Sequence, residues 1–489
     1  MNNVRSSIGE FSETVIQKLF GSEAAEDEDP KRLREYYFKS STFEQVTANL
    51  PLRILVGHKG IGKSALFKIA ISEDEENCKF PILIRPDDIS DIAVEDADLL
   101  KMIRVWKDGL TRIIAEKTVQ SLGMDSSGVQ RQLQHYGGRI LKYISDTFEH
   151  YKTISSAPTK RLVAEHFLKN NAVNIYIDDL DRGWEGRTID IRRISALLNA
   201  ARDMSNENRG LHFKVGLRSD VFYLVRTSDE STDKIEGSVV WQAWVNHEIL
   251  VLLVKRVETF FGRGVDEHKL VRTPQSELGR YLDCIMEPIF LGRGHWANAP
   301  IYKVLMSLIR RRPRDLVKLC TLAARRARQR NSKIIQTADF ESVFEEYSQG
   351  RVQDTILEYR SELPEIERLV LNMKPNRRER NAKAGYVYTS QSLLKKLEGV
   401  RQGSEFSFRN GRVATPKELA AFLYKINFLT ARKETADGIM RKYFEENRYL
   451  AGHFADFGFD WEIHPAYPWA LQPDDLRDLY QELRLSSDQ

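Results

Sequence analysis

Residues 52–64 constrain this chain more than any other stretch. They read Leu-Arg-Ile-Leu-Val-Gly-His-Lys-Gly-Ile-Gly-Lys-Ser. The apolar run Ile54-Leu55-Val56 ends at Gly57, and Lys63-Ser64-Ala65 opens an apolar helical stretch. A strand, a loop of the form G-x-x-x-x-G-K-S and a helix, in that order, make a cradle for phosphate. Gly57, Gly60 and Gly62 allow backbone conformations that a Cβ resists. The amide groups of Gly57, His58, Lys59, Gly60, Ile61, Gly62, Lys63, Ser64 and Ala65, with the helix N-terminus behind them, are expected to face negative charge. Lys63 is expected to reach the β- and γ-phosphates of a nucleotide, and the Ser64 hydroxyl to ligate Mg²⁺.

A chain of 489 residues is too long for one ordinary core, so about two to four domains are expected. A content of 42% hydrophobic and 29% charged residues fits a soluble globular protein. No apolar run approaches the roughly 18 residues of a membrane span. The opening Met1-Asn2-Asn3-Val4-Arg5 lacks the apolar segment of a secretion signal. Cys78, Cys284 and Cys320 are far apart and show no C-x-x-C spacing. That argues against a disulfide framework or a zinc site and fits a reducing cytoplasm. A net charge of +4 does not by itself imply a nucleic-acid partner.

Along the chain, strands alternate with helices before the signal turns mainly helical near residue 250. Phe11, Val15, Ile16, Leu19 and Phe20 follow helical spacing, and Glu23–Asp29 reads as a solvated connection. Further strands are expected at Phe80–Ile84, Asn174–Ile177 and Leu211–Leu217, with a helical insertion over about 95–170 between them. This alternation predicts a parallel, three-layer α/β sheet. Pro313 marks a helix start, with Leu316, Leu319, Cys320, Ala323 and Ala327 on one stripe; Thr337 reads as the N-cap of the next helix. Thr415, Pro416 and Glu418 spell a capping box.

The second half of a nucleotide site is readable in Asn174-Ile175-Tyr176-Ile177-Asp178-Asp179-Leu180-Asp181-Arg182. Asp178, first after the apolar strand, is expected to organise Mg²⁺, and Asp179 to orient or deprotonate an attacking water. Asp181 and Arg182 either join the site or make local hydrogen bonds in a strand-exit turn.

Gly57–Ser64 together with Asp178-Asp179-Leu180-Asp181-Arg182 resembles the Walker A and Walker B pair of the additional-strand P-loop ATPases. The likeness is nearest to the KAP and STAND groups and the origin-recognition-like AAA+ proteins, and spans about residues 35–345. It implies an N-terminal helical lead-in (1–50), a P-loop ATPase core (51–262), a helical lid (263–350) and a winged-helix-like C-terminal module (351–489). It also implies ATP as ligand, Mg²⁺ as cofactor and slow hydrolysis by a cytoplasmic switch. Many AAA+ enzymes carry Glu where this chain has Asp179, one methylene shorter.

Two arginines take their roles from the same resemblance. Arg218, ending Val215-Gly216-Leu217-Arg218, stands at a sensor 1 position; the alternative is an ion pair with Asp220 or Asp178. Arg314, in Arg310-Arg311-Arg312-Pro313-Arg314, stands at a sensor 2 position with Arg312 behind it; the alternative is a solvated basic face. His464 matches the place of a nucleotide-touching winged-helix histidine, or is simply structural. Relatives of this architecture often serve prokaryotic conflict systems, including phage defence. The implied partner is a second copy of the chain or a separate effector protein, with no membrane. DNA is the alternative, through Lys374–Arg380 or through Arg325, Arg326, Arg328 and Arg330, each of which also reads as an ordinary charged surface.

Overall fold

The computed structural model describes residues 8–77, 79–92, 98–121, 173–228, 230–377, 379, 385–403, 405–435, 438–448, 450, 458–471 and 476–488. They form two compact units. One comprises the described residues of Lys39–Lys59 and Lys63–Gln242, the other those of Met1–Phe38, Gly60–Gly62 and Ala243–Gln489. The expected insertion is described as the helix Leu99–Ser121; residues 122–170 lie outside the described residues.

In the first unit the strands β1 (Leu52–Gly57), β2 (Phe80–Ile84), β3 (Val173–Ile177), β4 (Leu211–Arg218) and β5 (Val239–Trp241) form one sheet in the order β2-β3-β4-β1-β5. Every pairing is parallel. The central strands are near-continuous apolar runs because helices cover both faces. Pro81 sits in β2, at the edge, where a missing N–H breaks no central ladder.

Alternate residues divide between the two faces. Ile54, Val56, Ile175, Ile177, Phe213 and Val215 pack with residues of the helices Leu99–Ser121, Thr188–Glu207 and Ser219–Ser228. On the other face lies the helix Lys63–Glu76, where Phe67 meets Tyr176 edge-on at 5.4 Å. The buried Asp74 carboxylate of that helix accepts from Asn174 Nδ2 at 2.7 Å and Tyr176 Oη at 2.6 Å. On the same face Lys214 Nζ donates to Ala48 O at 2.8 Å. This is the three-layer α/β arrangement expected of a P-loop core.

The second unit unites segments that the sequence reading kept apart. The helix Glu13–Phe20 lies with Ala243–Gln489: Arg325 Nη2 reaches Glu13 Oε2 at 3.0 Å, and the Arg256 guanidinium lies 4.4 Å from the Tyr36 ring centre. The two compact units divide at 242/243. Glu28, expected in solvent, is 6% exposed because it accepts from Ser22 N at 2.6 Å. The helix Thr337–Glu341 is capped by Gln336, whose N–H donates to Asp339 at 2.8 Å; the Thr337 hydroxyl instead accepts from Leu291 N.

A hairpin, β6 (Ile289–Leu291) with β7 (Ala297–Pro300), precedes the helices Ile301–Leu308 and Pro313–Gln329. The C-terminal part holds β8 (Val387–Tyr388), the helices Ser390–Gln402 and Pro416–Lys425, β9 (Leu429–Thr435), β10 (Gly438–Lys442) and β11 (Asp460–Ile463). A helix followed by short strands is the order expected of a winged-helix-like module; in the sheet β11 lies between β9 and β8. The Thr415–Glu418 capping box forms as read.

The unit is held internally by buried ion pairs. Arg310 binds Asp315 through Nε at 2.7 Å and Nη2 at 2.9 Å, and Arg351 Nη1 reaches the same carboxylate. Arg310 Nη1 also donates to Thr355 and to Tyr467. Burial alone would raise the Asp315 pKa, but Arg310 and Arg351 outweigh it and hold the carboxyl far below the carboxylate range. His464 is fully buried, 2.9 Å from Tyr443 Oη, and desolvation with Arg441 nearby drives its pKa well below 6.5. It is a core histidine.

Removing one partner of such a pair leaves a charge buried, so Asp315→Ala should cost about 3–5 kcal/mol in urea unfolding. Both groups bind fewer protons folded than unfolded. Stability should therefore fall as pH drops through the unfolded His value of 6.5, and again below the unfolded Asp value of 3.8. Melting curves from pH 7 to pH 3 check the sign.

Candidate functional site

The carboxyl ends of β1, β4 and β3 lie side by side. Register sets Gly57 beside Arg218 and Ile177 beside Val215, so Asp178 follows next to Gly216. Ligands of open α/β sheets bind at this edge. The glycine loop leaves β1 here with positive φ at Gly60 (77°) and Gly62 (104°), which only glycine adopts without strain. Lys63 Nζ donates to Gly57 O at 2.9 Å and His58 O at 3.2 Å. Ser64 and Ala65 are half-buried in the first turn of the helix, and Lys59 is exposed. His58 is buried, with Nδ1 3.0 Å from Ser219 Oγ.

Asp178 is positioned by an absence of side chain. A Cβ on Gly216 would stand 2.8 Å from Asp178 Oδ1 and 3.1 Å from Phe67 Cε2. The carboxylate therefore occupies room that only glycine leaves on β4, the strand next to the loop strand. A glycine inside an apolar strand marks such a close approach; Gly216 was readable by that signal, and the sequence reading did not use it. Asp179 takes φ 59°, a left-handed conformation that Asp tolerates better than most residues. Its exposed carboxylate lies 3.6 Å from Arg182 Nε, and Arg182 also lies 3.8 Å from Asp87.

Arg218 is 11% exposed and held by two carboxylates. Nε and Nη2 grip Asp220 at 3.0 and 2.8 Å, and Nη1 reaches Asp181 Oδ2 at 3.0 Å. Of the ion pairs foreseen, the one with Asp220 forms, joined by Asp181. Asp181 thereby does more than close its turn, where its carbonyl accepts from Trp184 N at 3.1 Å.

In the second unit, Arg314 N donates to Gly60 O at 3.4 Å and its side chain covers Gly60, 3.1 Å from where a Cβ would stand. Nε donates to Glu23 O at 3.0 Å. Trp244 Nε1 donates to Ile61 O at 2.8 Å. Arg312 does not stand behind Arg314 as a reader. It is buried, with Nη1 on Glu358 at 2.8 Å. Arg310 and Arg311 are buried too, so the triplet is no solvated face.

The four arginines Arg325, Arg326, Arg328 and Arg330, at the C-terminal end of the helix Pro313–Gln329 and just beyond it, each have a carboxylate. Arg325 pairs with Glu13, Arg326 with Glu346, Arg328 with Glu10 and Glu13, and Arg330 with Asp339. In the helix Pro416–Lys425 the bulk is buried and Lys425 is bound to Glu362. Of the stretch 374–380, Arg378 and Arg380 lie outside the described residues.

A strand, a G-x-x-x-x-G-K-S loop and a helix on a parallel sheet, with an acidic strand end across one intervening strand, define the P-loop nucleotide-binding fold. Residues 278–356 match the family described as the FunZ-associated C-terminal helical domain. The chain is similar to the putative transposon gamma-delta 80.3 kDa protein of Escherichia coli K12, at 24% identity over 97% of this chain and 70% of that protein. Among solved structures it is similar to a Walker-type ATPase of Pyrococcus abyssi, with 12% identity, a TM-score of 0.39, and coverage of 88% of this chain and 92% of that one. It is similar also to the ORC2 protein of Aeropyrum pernix, with 11% identity, a TM-score of 0.36, and coverage of 88% and 86%.

Gly216→Ala should push the Asp178 carboxylate aside while leaving the sheet folded. Loss of positioning around a metal ligand typically costs 10- to 100-fold, so with Asp178 as the expected Mg²⁺ ligand, Mg²⁺-dependent nucleotide affinity should fall by about tenfold. Titration calorimetry with and without Mg²⁺, beside circular dichroism, reads this out.

Proposed function

We propose that the chain is an additional-strand P-loop ATPase that binds ATP with Mg²⁺, hydrolyses it slowly and acts as a nucleotide-dependent switch. The observation that carries this reading is Asp178 reaching over Gly216 at the edge where the glycine loop ends β1, with β4 between the two strands.

The donor set fits the cation. Ser64 and Asp178 offer oxygen only, the preference of Mg²⁺, and Gly216 keeps the room clear. Bound Mg²⁺ supplies charge neutralisation on the phosphates. Lys63 exchanges the Gly57 and His58 carbonyls for phosphate oxygens. The loop amides of Gly57–Ala65 bind the phosphate chain, and the helix dipole favours its charge. Asp179 takes the proton of the attacking water or orients that water; its left-handed backbone is the kind of local strain that functional positions store. Arg218 senses the γ-phosphate from the Asp220–Asp181 clamp, and Arg314 reports on the loop tip through Gly60. His58 holds the loop to Ser219.

A role as the ATPase of a prokaryotic conflict or antiviral defence system fits this switch and rests on the family resemblance. The partner is then a second copy or a separate effector. The reading as an origin-recognition-like DNA-binding ATPase has less support, because the arginines at Arg325–Arg330 are matched by carboxylates.

Lys63→Ala should abolish ATP hydrolysis with the fold intact by circular dichroism, and Asp179→Asn should lower single-turnover hydrolysis while retaining ATP binding. Undiminished turnover in Lys63→Ala would overturn the assignment. Wild-type turnover far above about 10 per second, the median for enzymes, would remove the switch.

A further inference from the structure

A cleft of about 450 Å³ opens in the first unit beside the Asp178–Asp179 turn. It lies between the segment after β2 (Pro86–Ser90) and the segment after β3 (Leu180–Trp184), with the helices Leu99–Ser121 and Thr188–Glu207 behind. Its volume is within the 300–1,000 Å³ of small-molecule sites. Nothing in the P-loop mechanism above uses it.

Its chemistry is unbalanced toward donors. Trp106 and Trp184 both line it, and the indole N–H of each is buried without an acceptor among the described residues. A buried donor left unpaired is costly, so each such group calls for an explanation. Arg193 lines it too, is half-buried, and makes no ion pair or hydrogen bond among the described residues. Arg182 stands at the rim with only loose pairs, 3.6 Å to Asp179 and 3.8 Å to Asp87, all three side chains more than half exposed. Of the two acids in the lining, Asp190 is committed to Arg187, through its N–H at 3.1 Å and Nε at 3.3 Å, and Asp87 is 85% exposed. Indole surface with two adaptable guanidinium groups and surplus donors suits a planar ligand that carries acceptors and negative charge.

We infer that this cleft binds an unpaired nucleotide, its base against Trp184 and its phosphate on Arg182 and Arg193. Aromatic stacking with an arginine at the phosphate is how single strands are held without sequence preference. The nucleotide is either a free mononucleotide or one unit of a single strand. A phosphate at Arg182 competes with Asp179 for that guanidinium, so filling the cleft raises ATP turnover. This last coupling rests on the ATPase reading; the binding does not.

The test uses the full chain carrying Lys63→Ala, which disables the phosphate loop. Binding of fluorescent AMP and of a fluorescent oligo-dT or oligo-U is measured by anisotropy, alone and with Trp184→Ala or Arg193→Glu added. The expected result is saturable binding on at least one arm, weakened roughly tenfold or more by either substitution. The arm that responds names the source. Arg182 is 65% exposed, so Arg182→Glu, expected to weaken binding alike, decides the matter if either of those variants does not fold. Absence of binding on every arm, or binding indifferent to both substitutions, overturns the site. In the chain with Lys63 intact, the responding ligand should raise ATP turnover, and Arg182→Gln should remove the rise. Binding with no rise overturns the coupling alone, and no turnover at all counts against the ATPase reading alone.

Discussion

The buried carboxylate of Asp74 fixes the geometry on which the rest of the first unit depends. The helix Lys63–Glu76 begins at the phosphate loop, and β3 ends at Asp178. Asp74 fastens one to the other by accepting from Asn174 and Tyr176, both inside β3. Burial, and then the Asp74 charge itself, push the Tyr176 hydroxyl far above its usual pKa, so it stays a donor. A buried carboxylate is tolerable only when its lone pairs are used. Once they are, the helix cannot slide along β3, and the distance between loop and acidic strand end is set by covalent geometry on either side. The same strand face carries Lys214, bound to the Ala48 carbonyl, so the entry into β1 is anchored to β4 as well.

What could be read beforehand was local. The glycine loop, the apolar strands, the capping box at Thr415 and the helix start at Pro313 depend on neighbours a few residues away, and each appears in the structure. What could not be read was decided by partners distant in sequence. Arg310, Arg311 and Arg312 look like a solvated run, yet Arg310 finds Tyr467, Arg311 finds Glu446 and Arg312 finds Glu358, and all three go inside. The N-terminal helix looks like a lead-in to the core, yet Glu13 meets Arg325, 312 positions away. Charge sign and spacing do not reveal which carboxylate will arrive. At the site, Asp178 was legible as an acid after an apolar strand. The reason it can lean over β4 was written in Gly216, in a strand read only for its hydrophobicity.

The candidate site contains two kinds of arginine, and magnitude separates their roles. Arg182 is exposed, and its pairs at 3.6 and 3.8 Å belong to a class worth about 0–1 kcal/mol. It can change partner at almost no cost. Arg218 is 11% exposed, bidentate on a fully buried Asp220 and bound to Asp181. Withdrawing it would strand buried charge, a change of about 3–5 kcal/mol. A γ-phosphate that arrives at this edge therefore cannot pull Arg218 out of its clamp. It can only draw the clamp as a body, with Asp181 and the turn that contains Asp179. In the proposed switch, Arg218 is then the rigid link and Arg182 the soft one. Any signal that reaches Asp179 from outside the phosphate loop enters most cheaply through Arg182.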